Sequence, residues 1–259
     1  MDMQTRVTEV ADGVHQLTTV VPDAPVAFNQ YLIASTEPLL FHTGMRRLFP
    51  SVSAAVSTVL PAASLRWLTF GHVEADESGS MNEWLALAAD ATVMHGFIGC
   101  MVSIGDLADR PPRTLADGET VDIGGHVVQW FDTPHVPHGW EAGVLYDVTT
   151  KTLFCGDLFT WHGPYPATTD GDIVGPAVRS EDEMPGSLSL HPSSGAICRR
   201  LAELQIDTLA PMHAPAYTGD CNAALRELAH DFDRRTTAST EARGPQPPTT
   251  AHDPRVATL

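Results

Sequence analysis

Acidic and histidine side chains alternate directly after one apolar segment, and this arrangement restricts the fold more than any other feature. Residues 65–70 have the composition of a buried strand. His72, Glu74 and Asp76 follow at every second position, and Glu77 comes next. So many ionisable groups beside a core are costly unless a cation neutralises them. The sequence therefore predicts a metal site at the end of this strand.

Three other loops bring further metal-binding residue types to the ends of strand-like segments. One loop contains His135 and His138, a second begins at Asp157, and a third begins at His213. Taken singly, each of these residues has an ordinary role on the surface or in a turn. Loops at strand ends can nevertheless gather ligands above a rigid sheet without filling its core with charge. The four loops together favour a metal site over these separate roles.

Strand-like and helix-like segments bounded by turn residues predict an α/β chain, with strands in sequence first and then helix–strand alternation in both halves. The predicted strands are 14–21, 29–34, 38–42, 65–70, 90–94, 120–123, 126–131, 143–147, 152–157 and 208–212, and the predicted helices are 51–59, 82–89, 194–204 and 223–235. This order indicates an αββα sandwich. Residues 1–235 are expected to form one domain, and residues 236–259, which have almost no large apolar side chains, a disordered tail.

The net charge of −17 excludes several classes of partner. Nucleic acids and anionic membrane surfaces bind clustered Lys and Arg, so neither is an expected partner. No apolar run reaches the length of a transmembrane helix, and the first residues lack the pattern of a signal peptide, so a cytoplasmic location is expected. The four cysteines are widely spaced. Buried free thiols are therefore expected, rather than disulfides or a zinc–thiolate site.

The order of these residues resembles the metallo-β-lactamase superfamily, in which His-x-(His or Glu)-x-Asp is followed by His, a bridging Asp and His. The glutamate at the second position makes the chain most similar to the flavodiiron branch, whose metals are iron. The resemblance covers about residues 10–230. It implies six ligands for two metals: His72, Glu74 and His138 on the first, Asp76 and His213 on the second, and Asp157 as the bridge between them.

Three positions need a choice or depart from the family pattern. His138 is taken as the ligand because Glu141 and Tyr146 follow it at the family's spacing, which leaves His135 beside the ligands or on the surface. Glu77 stands where the family usually has His. Its carboxylate could bind the second metal, hydrogen-bond to a ligand or point away. His42 replaces an Asp that is common in the family, so the hydrogen bonding that supports the ligands is expected to differ.

Three carboxylates and three imidazoles suit iron or manganese, although imidazole also accepts zinc. Two iron ions are the expected cofactor, with zinc or manganese as the alternative. Flavodiiron proteins carry a C-terminal flavodoxin domain with FMN. The residues after 235 contain no Gly-rich phosphate loop, so no bound flavin is expected. The oligomeric state stays open, with a homodimer among the arrangements considered.

The resemblance implies two competing functions. The first is binding of dioxygen or a similar molecule such as nitric oxide at the iron pair, where reduction needs an external redox partner. The second is metal-dependent hydrolysis of a small ester, lactone or phosphoester through a bridging hydroxide. Asp157 and Asp76 are the expected catalytic residues. A metal-free interaction module is a third reading, and the intact ligand set speaks against it. The loop with Trp161 and His162 is expected either to overhang the metals or to be a plain packed loop.

Overall fold

The computed structural model of the chain describes residues 4–22 and 24–243. Within those residues, fourteen strands form two seven-stranded sheets. The sheets pack face to face, and helices cover the outer face of each. The predicted αββα sandwich is confirmed. No helix in the described part of the chain is long and apolar enough to cross a membrane.

The first sheet keeps its strands in chain order. They are β1 (Thr5–Ala11), β2 (Val14–Val20), β3 (Ala27–Ile33), β4 (Leu39–Phe41), β5 (Trp67–Thr69), β6 (Thr92–Gly96) and β7 (Arg113–Leu115). Strands β1 to β4 pair antiparallel, and β4 to β7 pair parallel. The helical segments of this half are α1 (Phe49–Val56), α2 (Ala75–Ser78), α3 (Met81–Leu87), α4 (Phe97–Gly99), a π-helical turn (Cys100–Ile104) and α5 (Gly105–Leu107).

The second sheet is built from the rest of the chain. Its strands are β8 (Thr120–Asp122), β9 (Val127–Asp132), β10 (Gly143–Asp147), β11 (Thr152–Phe154), β12 (Thr168–Thr169), β13 (Thr208–Ala210) and β14 (Ala216–Tyr217). Their order across the sheet is β12-β14-β13-β11-β10-β9-β8. Helices α6 (Val174–Glu183), α7 (Ser194–Leu201) and α8 (Cys221–Arg243) belong to this half.

Alternation along the strands explains why the two sheets pack together. In β4, Leu39 and Phe41 belong to the apolar cluster between the sheets, while Leu40 joins the cluster under the helices of the first half. In β10, Leu145 lies between the sheets and Val144 faces the helices of the second half. Successive strand residues point to opposite faces, so both faces of a central strand are buried here. Each fully buried side chain of this size contributes roughly 1.5–3 kcal/mol.

The strand directions place several loops at one edge of the second sheet. Strand β10 is antiparallel to both β9 and β11, and β13 is parallel to β11. Strands β9, β11 and β13 therefore run in the same direction and end at the same edge. Backbone hydrogen bonds join the two sheets, from Gly143 to Gly71 O (2.8 Å) and from Asn29 to Met212 O (2.9 Å).

The predicted strands and helices all have counterparts, but several short elements were missed. These are β1, β7, β12, β14, α2, α6 and the helical stretch from Phe97 to Leu107. Most are too short to show a period, and β7 directly follows two prolines. The last helix was predicted to end at residue 235 but continues to Arg243. Residues 236–239 of this extension are half-buried or exposed, so they need few apolar side chains. The remainder of the predicted tail, residues 244–259, lies outside the described residues.

Candidate metal centre

Each of the four loops identified in the sequence follows the C-terminal end of a strand. His72 comes after β5, and Asp76 lies in the single-turn helix α2. His138 lies between β9 and β10, and His213 follows β13. Asp157 follows β11 after Gly156, whose φ of +54° allows the chain to turn there. The strand ends thus bring residues that are far apart in sequence to one edge of the sandwich.

Four side chains form the first group of donors: His72, Glu74, His138 and Asp157. Their ligand atoms all lie within 4.8 Å of one another. Glu74 Oε2 is 2.9 Å from His72 Nε2 and 3.0 Å from His138 Nε2. The two Nε2 atoms are 2.8 Å apart. Ligands about 2.1 Å from one ion lie about 3 Å apart when they meet at right angles, so the spacing fits a shared ion.

A second group lies around His213. Its Nε2 is 3.2 Å from Asp76 Oδ2 and 3.4 Å from Asp157 Oδ1. The other oxygen of Asp157, Oδ2, is 3.4 Å from His138 Nε2 and 3.8 Å from His72 Nε2. One carboxylate therefore contacts both groups, each through a different oxygen. Asp157 Oδ1 is also buried without a hydrogen-bond partner among the described residues, which leaves a lone pair free for a cation.

Backbone carbonyl oxygens contact two of the three imidazoles at Nδ1, the ring nitrogen opposite the donor group. His138 Nδ1 lies 2.8 Å from Ser187 O, and His213 Nδ1 lies 2.8 Å from Ala27 O. Because a carbonyl oxygen only accepts, each ring must donate its Nδ1–H. This tautomer leaves the Nε2 lone pair directed at the donor group, as a metal requires. No sequence pattern marks these carbonyls, and sequence analysis missed both of them.

Glu77 is not one of the clustered donors. Its side chain is completely buried, and Oε2 accepts hydrogen bonds from the backbone N–H groups of Gly71 (2.7 Å) and His72 (2.8 Å). Oε1 lies 3.3 Å from His72 Nδ1 and 3.2 Å from His42 Nε2. Of the three roles considered for Glu77, the structure supports contact with a candidate ligand. His42 is a second buried side chain that contacts the Glu77 carboxylate.

Burial and charge shift the pKa values of the cluster. Burial would lower the pKa of His72, but the Glu77 carboxylate and other nearby acids raise it to about 12. Burial would likewise lower the pKa of His213, but the hydrogen bond with Asp76 and further negative charge raise it to about 9. Hydrogen bonds with the histidine rings hold the pKa of Glu74 below its usual range. The carboxylates of the site therefore stabilise positive charge. A bound dication would supply that charge in place of the protons on the rings.

The two histidines of the β9–β10 loop have different environments. His138 joins the donor cluster. His135 instead stacks on His191, with ring centroids 4.7 Å apart and an interplanar angle of 19°. His162 lines the cavity beside the donors, and its Nδ1 lies 3.1 Å from Glu183 Oε2.

The donors open into a cavity of about 450 Å³. Glu74, Asp76, His138, Asp157 and His213 line one end of it. His162 belongs to the wall, so the loop after Asp157 borders the cavity. The Trp161 ring is instead 6.3 Å from the Tyr165 ring.

Known proteins resemble the chain in both sequence and fold. The model of the family described as "ODP family beta lactamase" matches residues 26–214. The protein named "Putative diflavin flavoprotein A 1" from Nostoc sp. is 24% identical over 197 residues, which cover 73% of this chain and 33% of that protein. The chain spans about a quarter to a third of the length of the first curated relatives that it matches.

Two solved structures show the same fold. The metal-soaked flavodiiron core from Synechocystis sp. superposes with a TM-score of 0.73 at 19% identity, over 91% of this chain and 61% of that one. Rubredoxin oxygen:oxidoreductase from Desulfovibrio gigas gives a TM-score of 0.74 at 16% identity, over 90% and 62%. The metallo-β-lactamase fold that the motif implied is thus confirmed. Because the family model covers most of the chain, this protein belongs to the ODP family of beta lactamases.

Proposed function

We propose that this chain is a binuclear non-haem iron protein that binds dioxygen or a similar small molecule such as nitric oxide. The proposed ligands are His72, Glu74 and His138 for one iron, Asp76 and His213 for the other, and Asp157 as the bridge. The observation that carries the proposal is the position of Asp157. Its two carboxylate oxygens contact two different donor groups, at 3.4 Å from His213 Nε2 and 3.4 Å from His138 Nε2.

The donor set also supports iron. It contains three imidazoles and three carboxylates, a mixture that suits iron and manganese and still admits zinc. An iron pair would supply open coordination positions and electrons for a diatomic ligand. The chain's own residues would fix the geometry. The Ser187 and Ala27 carbonyls orient two rings, and the Glu77 carboxylate contacts a third.

The names of the relatives favour oxygen chemistry over other roles. One structural neighbour is a rubredoxin oxygen:oxidoreductase, and several relatives are named flavoproteins. If this chain also turns over its ligand, electrons would come from a separate redox partner. Without such a donor, the same site would serve as a reversible binder or sensor of oxygen.

Hydrolysis is the second candidate function, and the cavity is the observation that favours it. A volume of about 450 Å³ beside the donors can hold an ester or a lactone. Asp76, 3.2 Å from His213, would then help to orient a hydroxide nucleophile held between zinc, manganese or iron ions. Glu74 weighs against this function, because hydrolases of the superfamily usually have His at that position.

Absorption spectroscopy of iron-loaded protein separates the two candidates. The protein would be loaded with Fe(II) without air, and spectra recorded before and after adding dioxygen, then in parallel with nitric oxide. A visible band that appears with either gas supports the proposal. An unchanged spectrum, together with ester or lactone hydrolysis by the zinc-loaded or manganese-loaded protein, would replace it with the hydrolase. His230→Ala changes an exposed histidine of α8 and should give the same spectra as the natural chain, which controls for effects of preparing a variant.

A further inference from the structure

The cavity beside the candidate metal centre is much larger than a diatomic ligand needs. A water molecule, which is similar in size to dioxygen, takes about 30 Å³ in the liquid. The cavity volume of about 450 Å³ lies instead in the range of pockets that hold small organic molecules. The cavity therefore has room for a molecule much larger than a diatomic one.

The walls beyond the metal end are apolar and well packed. Leu158 and Phe159, from the loop after β11, line the cavity and are 1% and 2% exposed. Leu228 and Phe232 of α8 also line it and are 4% and 3% exposed. Val178 of α6 adds to the same wall. These side chains are held by the core of the second half, so the apolar part of the cavity is preformed.

The charges around the cavity determine what kind of molecule would fit. Neither Lys nor Arg is among the described residues that line it. Two acids do line its far part, and each has a partner. Asp231 pairs with Arg235, at 2.5 Å between Oδ2 and Nε, and Glu181 accepts a hydrogen bond of 2.5 Å from Ser187 Oγ. In this far part, an anionic ligand would meet the carboxylates of Asp231 and Glu181 and no Lys or Arg, and these compensated acids offer little to a cation.

We infer that the cavity binds a neutral, mainly apolar organic molecule alongside the metal centre, with its apolar part between α6, α8 and the loop after β11. The metal end of this binding site rests on the proposed function. The apolar part of the binding site rests only on the cavity and its walls. The metal end and the apolar part can therefore be tested separately. A ligand held there would have one end within reach of the donor cluster.

A matched pair of fluorescent dyes provides the test. N-phenyl-1-naphthylamine is neutral, and 8-anilinonaphthalene-1-sulfonate is the same aromatic amine with a sulfonate added. We expect the neutral dye to bind the natural protein saturably, one molecule per chain, and at least tenfold more tightly than the sulfonate. Equilibrium dialysis would be carried out on both iron-free and iron-loaded protein. Equal affinity for the two dyes, or no saturable binding, would overturn the inference.

A cavity-filling substitution locates the site. Ala177 lies on α6, is 8% exposed and lines the cavity, so Ala177→Leu would place a larger side chain in it. We expect this variant to bind the neutral dye at least tenfold more weakly. Ala54→Leu, at an exposed position of α1, is the matched control and should bind like the natural chain. Unchanged binding to a folded Ala177→Leu would contradict the inference, and the dye comparison on the natural sequence stands if that variant does not fold.

Iron content, measured on the same samples, keeps the two proposals apart. Protein that takes up iron but binds neither dye saturably retains the proposed function and loses this inference. Protein that binds the neutral dye but no iron retains the apolar site and loses the diiron proposal.

Discussion

Glu77 Oε1 lies 3.3 Å from Nδ1 of His72, the ring nitrogen that faces away from the other candidate ligands. The same oxygen is 3.2 Å from Nε2 of His42, and neither side chain of that pair is exposed. Burial alone would raise the pKa of Glu77, but the two histidines hold it well below its usual range. A carboxylate behind a ligand histidine fixes the ring and raises its basicity. Glu77 therefore supports His72 in a way that the usual histidine at this position would not.

Replacing Glu77 by Gln should weaken iron binding without removing any candidate ligand. The amide keeps the shape but loses the negative charge that faces His72, and such changes beside metal ligands typically cost 10–100-fold in affinity. Competition with a coloured Fe(II) chelator measures the loss. Glu227→Gln, at an exposed position of α8, is the matched control. Equal affinities in both variants would show that Glu77 has no supporting role.

His138 and His135 can be compared directly, since they lie in the same loop. We expect His138→Ala to lose at least one of the two irons, because His138 Nε2 lies 2.8 Å from His72 Nε2 and 3.0 Å from Glu74 Oε2. His135→Ala should keep both irons, because that ring stacks on His191 outside the cluster. Elemental analysis after anaerobic loading gives the answer. The opposite result would move the ligand assignment to His135.

His95 should make the stability of the fold depend on pH. The ring is completely buried, with its centroid 5.2 Å from Phe70 and 4.6 Å from Trp130, and burial lowers its pKa to about 4. In the unfolded chain the pKa is about 6.5. Between pH 6.5 and 4 the unfolded state takes up a proton that the folded state does not. The free energy of unfolding therefore decreases as the pH is lowered, by about 3 kcal/mol between pH 6.5 and pH 4.

Urea unfolding at pH 7 and pH 4.5 tests this effect. The loss of stability between the two values should be smaller in His95→Gln than in the natural chain, by about 2–3 kcal/mol. His230→Gln, at an exposed position, should lose as much as the natural chain. If all three chains lose the same stability, the buried ring is not the cause.

The cysteines should be unreactive in the folded protein. All four are buried and free, as the sequence predicted. Burial raises the pKa of Cys198 to about 12 and that of Cys221 to about 11, so almost no thiolate is present at pH 8. A thiol-reactive dye should therefore label the native chain slowly and all four thiols once guanidinium unfolds it. Rapid labelling of a native thiol would show an open path to that part of the core.

Sequence reasoning predicted the layers of the fold and the loops that carry the candidate donors. The αββα layers follow from the order of the predicted strands and helices, and the clustered donors follow from His-x-Glu-x-Asp and the strand ends. The register of the residues after His138 selected it over His135, and the structure places His138 among the clustered donors. Strands of two or three residues, such as β12 and β14, carry no period and were missed.

Contacts that depend on tertiary packing could not be derived in the same way. The carbonyl oxygens of Ser187 and Ala27 lie far along the chain from the histidines that they orient, and every residue has such an oxygen. Glu77 was noticed as a departure from the family pattern, but its direction depends on the buried His42. The cavity likewise depends on how α6 and α8 pack, which no local pattern reports.

The most direct test of the account is the number of irons that one chain binds. Anaerobic titration with Fe(II), followed by elemental analysis after desalting, should give two irons per chain for the natural sequence. Asp157→Asn, which removes the charge shared by both donor groups, should retain one or none, while Asp170→Asn, at an exposed position, should retain two. A natural chain that binds fewer than two irons, or an Asp157→Asn chain that still binds both, would contradict a binuclear centre built around Asp157.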